Sequence, residues 1–218
     1  MIIMNNLESC RGCVLCCPGE ENFGCIRSKL YSLTSRWRSR FVEFVANDVR
    51  SSNPRSVLDI GCGTGDVLSR LLTQFHGVKL YGIDPSPYML KIAEEHSRHV
   101  SGTKSSVHLG LGNNRHIPFD NKFDRIFSSI SFHHWKNREQ SIPYILSRLT
   151  SNGEFTIYEY DKNALPVIRR AIFRKHSISE FDVNELDFDG YKKRIEHSSS
   201  FIVIRFKKTT KRLKRRKQ

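Results

Sequence analysis

A chain of 218 residues with 38% hydrophobic and 27% charged residues has the balance of one ordinary globular domain with appendages, which excludes a disordered chain and leaves no room for two such domains. No run approaches the roughly 18 apolar residues of a membrane span. The net charge of +14 is unevenly held: residues 205–218 carry nine Lys or Arg and no acid, so the remainder carries only +5.

The start, Met1-Ile2-Ile3-Met4-Asn5-Asn6, lacks the basic-then-apolar order of a secretion signal, so the expected compartment is the cytoplasm, or also the nucleus in a eukaryote. Five of the six cysteines follow, at Cys10, Cys13, Cys16, Cys17 and Cys25. Two consecutive C-x-x-C steps suit a shared metal, zinc before iron–sulfur, with Cys10, Cys13, Cys16 and Cys25 as the candidate ligands. The bland alternative is a flexible segment of reduced thiols. Disulfides are the weaker explanation without a secretion signal.

From Ser28 to Val49, Leu30, Leu33, Trp37, Phe41, Phe44 and Val45 recur at helical spacing, and Ser51-Ser52-Asn53-Pro54 ends the run. Such a helix would pack on the domain and roof a pocket. Val57–Ile60 reads as a buried strand entering the turn Gly61-Cys62-Gly63-Thr64-Gly65, with a helix over Val67–Gln74. Glycines there allow positive φ and close approach of backbone amides to a ligand, which makes this turn the candidate cofactor seat. Lys79–Asp84 is a second strand ending in an acid, and Pro85-Ser86-Pro87 opens a helix over Tyr88–Arg98. Asp84 stands 19 residues beyond Gly65, about the spacing at which dinucleotide-type folds offer a carboxylate to ribose hydroxyls. The G-x-G-x-G interval departs from the nicotinamide fingerprint and points to another adenosine-containing ligand.

Val107–Gly112 is a third strand and Phe123–Ile130 a fourth, running into Ser131-Phe132-His133-His134-Trp135. A helix is expected over Ser141–Leu149, a turn at Ser151-Asn152-Gly153, a fifth strand over Glu154–Tyr160 and a basic helix over Ala164–Lys175. Leu186–Glu196 and Phe201–Lys208 pair as a closing antiparallel hairpin. Strands alternating with helices predict an α/β, doubly wound parallel sheet. The organisation is a Cys-rich segment at 1–27, a domain at 28–204 whose residues 28–53 form a capping helix, and the end of the last strand with a basic tail at 205–218. That tail is a solvated arm able to touch RNA, DNA or an acidic membrane surface, or simply to keep the chain soluble.

These motifs, in this order over about residues 55 to 161, resemble the class I S-adenosylmethionine-dependent methyltransferases. Val57–Gly65 looks like the cofactor strand and loop, Gly82-Ile83-Asp84 like the ribose-binding strand end, and Gly112–Phe119 is similar to the Gly-Asp-Ala-Glu-x-Leu-Pro-Phe segment. Phe123-Asp124 through His133-His134-Trp135 resembles the fourth strand of the ubiquinone/menaquinone-biosynthesis branch, and Leu149–Phe155 its Leu-x-Pro-Gly-Gly turn. The resemblance implies a Rossmann-like, mostly parallel seven-stranded sheet with S-adenosylmethionine as cofactor. It places Gly61, Cys62, Gly63 and Gly65 against the methionine and ribose portions, with Cys62 a small loop residue rather than a nucleophile. Asp59 would orient the amino end, Asp84 with Pro85 the ribose, Asn113 with Asn114 the adenine, and Ser129 with Ile130 the methionine segment, while Tyr31 or Trp37 covers the site. Asn113 departs from the usual Asp, but its side-chain carbonyl can still accept a hydrogen bond.

His134 and His133 are candidate general bases, since an imidazole titrates near neutral pH; the alternative is a surface or packing role. A small-molecule acceptor is the first expectation. RNA is the alternative, with the Cys-rich front and basic tail as recognition pieces. A non-catalytic cofactor-binding partner subunit is a third.

Overall fold

The computed structural model describes residues 39–101, 107–165 and 177–209. Cys10, Cys13, Cys16, Cys17 and Cys25, the covering residues Tyr31 and Trp37, most of the basic helix expected at 164–175, and residues 210–218 of the tail lie outside the described residues.

Helix α1 (Ser39–Ser51) turns Phe41, Val45, Ala46 and Val49 inward at the three- and four-residue steps that place side chains on one face. Strand β1 (Ser56–Ile60) leads through the glycine turn to α2 (Asp66–Gln74). There follow β2 (Lys79–Asp84), α3 (Pro87–Ser101), β3 (Val107–Leu111) and β4 (Phe123–Ser129). A single 3-10 turn (Phe132–His134), α4 (Arg138–Ser147) and β5 (Leu149–Asp161) come next. The short β6 (Ser177–Ile178) and α5 (Phe181–Asn184) precede the hairpin of β7 (Tyr191–Ser198) and β8 (Phe201–Lys208).

The sheet runs β3-β2-β1-β4-β5-β8-β7, with β6 paired to β5 off this path. Neighbours are parallel except that β8 runs antiparallel to both β5 and β7. The expected seven-stranded path is therefore present, and the two-residue β6 adds to it. Because β8 still pairs with β5 at Tyr160, β6 takes the edge that β4 leaves after Ser129.

Strand alternation divides the core in two. Val57, Leu80, Phe127, Tyr158 and Val203 face one layer with α1, α2 and α3. Leu58, Ile83, Ile126, Ile157, Ile202 and Ile204 face the other with Phe132, Trp135 and α4. Burying each such side chain stabilises the fold by roughly 1.5–3 kcal/mol, and both faces must be covered because a parallel sheet has no polar side to give to water.

Three boundaries differ from the sequence reading. The turn expected at 151–153 is a break inside β5: Phe123 pairs with Leu149 and Arg125 with Glu154, so the ladder passes over the residues between. Helix α4 starts three residues early, after Asn137 in the left-handed region, and ends at Ser147 so that Leu149 can join the sheet. In the hairpin, Leu186 is buried in the core below α5 and β7 begins only at Tyr191.

Candidate active site

Sheet order reverses between β1 and β4, so their connections diverge and leave a crevice at the carboxyl ends of the strands, the usual ligand position in open α/β sheets. Phe41, Val42, Gly61, Cys62, Gly63, Thr64, Asp66, Val67, Ser129 and Ile130 line a cleft there that is open to solvent. Phe41 and Val42 come from α1, which thus roofs the cleft.

Gly61 has φ +76°, and a Cβ on it would fall 2.1 Å from Ser131 Oγ. Two independent constraints, backbone conformation and close approach, exclude any other residue. The amides of Gly61 and Cys62 both donate to the Ile83 carbonyl, at 2.8 and 2.9 Å, which fastens the turn to the end of β2. Gly65 answers to packing as well as to the turn, since a Cβ there would meet that of Ala93 on α3 at 2.9 Å. The Cys62 thiol is buried; burial and the nearby carboxylates push its pKa up, so it is no nucleophile.

Two carboxylates sit beneath this turn. Asp84 is buried, with one oxygen accepting the Gly63 amide (2.9 Å) and the other the Ser86 amide (2.8 Å). Burial pushes its pKa up to about 6 in spite of those two bonds. Asp59 is 1% exposed, and its Oδ1 has no hydrogen-bond partner. Burial first, and the Asp84 charge second, raise its pKa well above the carboxylate range. An orphaned buried carboxylate oxygen is costly and asks for a donor from outside the fold. Pro85 is half-buried between Asp84 and Ser86, and Ser86 caps α3, its Oγ taking the Met89 amide at 3.4 Å.

Ser129 and Ile130 close the cleft from β4. Ile130 has φ +50°, a left-handed conformation that costs a β-branched residue on the order of 1–3 kcal/mol. The strain is held by its amide bond to the Tyr158 carbonyl (2.9 Å). Immediately beyond, the His133 amide and ring Nδ1 both reach Glu159 of β5, each at 3.1 Å. The rings of His133 and His134 are 3.9 Å apart. Arg138 clamps the turn that carries them, donating to the Phe132 carbonyl at 3.3 Å and lying over the Phe132 ring.

The two asparagines stand apart from the cleft lining. Asn113 Oδ1 accepts the amides of Arg115 (2.8 Å) and His116 (3.1 Å), closing its own turn. Asn114 is buried, and its amide donates to Ser141 of α4 at 2.7 Å. Sequence reading missed Glu159, Ser131 and Asp48. Glu159 and Asp48 read as ordinary polar positions of a strand and a helix, and only the tertiary packing gives them partners. Among the described residues no group of three or more His, Cys, Asp or Glu could hold a metal.

Residues 58–155 match the family model described as a methyltransferase domain. That stretch of the chain carries a methyltransferase domain. An uncharacterized methyltransferase of Staphylococcus carnosus is 33% identical over 141 residues, covering 61% of this chain and 63% of its own. The demethylmenaquinone methyltransferase of Thermotoga maritima is 28% identical over 130 residues, covering 59% and 52%. A tRNA U34 carboxymethyltransferase of Aeromonas hydrophila is 32% identical over 127 residues, covering 57% and 38%. The chain thus spans less than two thirds of the length of these relatives. Among solved structures, the plantazolicin methyltransferase BpumL in complex with a desmethylPZN analog and SAH superposes with a TM-score of 0.65 at 14% identity, over 82% of this chain and 90% of that one. PH0226 from Pyrococcus horikoshii gives 0.63 at 17%, over 79% and 92%. At these identities the likeness establishes the fold.

The polar groups left open at this turn fit S-adenosylmethionine, the cofactor that the sequence motifs imply. A cation with hydroxyl and ammonium donors suits the unpaired Asp59 oxygen and the acceptor lone pairs left on Asp84. A Cβ on Gly63 would meet nothing within 4 Å, so the backbone there is open to a ligand.

Proposed function

We propose that the protein transfers a methyl group from S-adenosylmethionine to an acceptor, and that the acceptor is a small molecule. The observation that carries the cofactor reading is the pair of buried carboxylates under the glycine turn, one of them with an oxygen that the fold leaves unpaired. In this reading Asp84 takes the ribose hydroxyls, Asp59 orients the amino end, and the Gly61–Gly65 backbone lies against the methionine and ribose portions. Ser129 and Ile130 flank the methionine segment. Asn113 and Asn114 shape the adenine end, Asn113 through the turn it closes. When bound, the cofactor supplies an electrophilic methyl group on sulfur. The chain must then position the acceptor and, where the acceptor carries a proton, remove it. His133 and His134 are the proposed bases.

The Ser131–Trp135 segment and the Thermotoga relative support a small acceptor. RNA is the second reading, favoured by the name of the Aeromonas relative and by the net charge of +14. Zinc on Cys10, Cys13, Cys16 and Cys25 belongs to that second reading as part of a recognition segment. Tritiated-methyl transfer from S-adenosylmethionine into fractionated cell extract tests both. Label in small metabolites is expected, label in RNA would replace the first reading by the second, and no label would leave a cofactor-binding partner subunit.

A further inference from the structure

We propose that Glu159 is a positioning residue that holds His133 as the base for the acceptor, and hence that the acceptor is a protic nucleophile, a hydroxyl or an N–H, that must lose its proton. The inference rests on the methyl-transfer reading above and adds the class of acceptor to it.

Glu159 is fully buried on β5, one residue beyond the position that pairs with the last residue of β4. A carboxylate in such a place costs several kcal/mol unless it is paired. Its partner is His133, through the main-chain amide and through ring Nδ1, which lies 3.1 Å from both oxygens. An ionised carboxylate only accepts, so Nδ1 carries the proton, and in the neutral ring Nε2 is then the basic nitrogen. The His133 side chain is itself only 4% exposed, so the ring is fixed rather than free to rotate. The turn bearing it follows the strained Ile130 that lines the cleft. From α4, Arg138 holds the same turn, and from α5 Asp182 acts on Arg138, while His134 lies against the His133 ring. The arrangement supplies what a general base needs: a defined tautomer, a fixed ring, and a buried negative charge to stabilise the imidazolium once it forms.

In the step, the acceptor atom forms its bond to the methyl carbon as the carbon–sulfur bond breaks and its electron pair goes to sulfur. The acceptor's proton passes to His133 Nε2, and from there to solvent. An acceptor that attacks as a thiolate, with no proton to lose, would make no use of this pair.

The dyad is read without any acceptor by NMR of the full chain labelled with 15N-histidine, with His133 assigned by its loss in His133→Gln. The expected result is the Nδ1–H tautomer at neutral pH, and in Glu159→Gln a mixed tautomer. A His133 in the Nε2–H tautomer, or one unchanged by Glu159→Gln, overturns the proposal. Methyl transfer into the extract fractions gives the second readout. Glu159→Gln is expected to slow transfer about a hundredfold at neutral pH and to move the rising limb of the pH profile, with S-adenosylmethionine affinity by calorimetry unchanged. A loss that is equal at every pH would mark Glu159 as a core tie and sink the idea. Glu159→Asp, which keeps the charge, should recover part of the rate and serves where Glu159→Gln folds poorly. Absence of transfer by the unaltered protein would overturn the methyl-transfer reading, while the NMR result still judges the pairing.

Discussion

At the scale of single residues, the cofactor turn holds charge where the apo fold would prefer none. Asp84 has its pKa raised to about 6 from an ordinary 3.8, so its protonated form is favoured by folding. The stabilisation is complete below the unfolded value and is lost as pH rises through about 6, roughly 3 kcal/mol in all at about 1.4 kcal/mol per unit. Asp59 acts in the same direction. The Tm of the apo protein should therefore decline between about pH 4 and 6.5 more steeply than that of Asp84→Asn, measured by thermal denaturation at matched ionic strength; equal slopes would refute the assignment. In the proposed reading the ligand uses the same charge, so Asp84→Ala should weaken S-adenosylmethionine binding at least about tenfold by calorimetry, a loss of ~1.4 kcal/mol or more. Unchanged affinity would mean that the cofactor lies elsewhere. Gly61→Ala meets both the positive φ and the Ser131 side chain. It should destabilise by about 2–4 kcal/mol in urea, with Ser131→Gly in the same chain restoring only the steric part.

At the scale of elements, the informative contact is between α1 and the sheet. Asp48 of α1 accepts from both terminal guanidinium nitrogens of Arg205, at 2.8 and 2.9 Å, from Arg125 at 2.8 Å and from the Tyr158 hydroxyl. Arg125 is 4% exposed and also pairs with Glu154. This charged knot fixes the helix whose Phe41 and Val42 roof the cleft. Burial works to raise the Asp48 pKa, but Arg205, Tyr158 and Arg125 outweigh it and hold it below the ordinary value. Its contribution is thus present above the unfolded pKa and lost as pH falls toward the lower folded one. Asp48→Ala leaves buried cationic groups short of a partner and should destabilise by about 3–5 kcal/mol in denaturant titrations. Because α1 carries the roof, cofactor affinity should fall with it; a stability loss without any effect on affinity would show that the roof does not depend on this knot.

At the scale of the whole molecule, a basic body and a more basic tail predict salt-sensitive association with nucleic acid whether or not RNA is the acceptor. Deleting residues 210–218 removes six Lys or Arg and leaves a net charge of +8. The log–log salt slope for binding a short single-stranded RNA should drop by up to about 0.7 for each phosphate that is no longer neutralised, while affinity for S-adenosylmethionine stays the same. A slope unaffected by the deletion would place the phosphate-binding groups on the body instead.

The sheet and its ligand turn were legible in the sequence because their signals are local: apolar runs of strand length, glycines where the chain must turn sharply, and an acid at the tip of β2, whose limits Lys79–Asp84 match the reading residue for residue. Boundaries set by packing were less so, as the start of α4 and the break inside β5 show. The chain by itself thus determined the α/β class, the order of motifs and the place of the glycine turn. Only the tertiary structure decided which polar residues meet. Asp48 lies 157 residues from Arg205, and Glu159 lies 26 from His133. No periodicity or spacing rule links such positions, because the burial that makes each pairing necessary exists only once the sheet has formed.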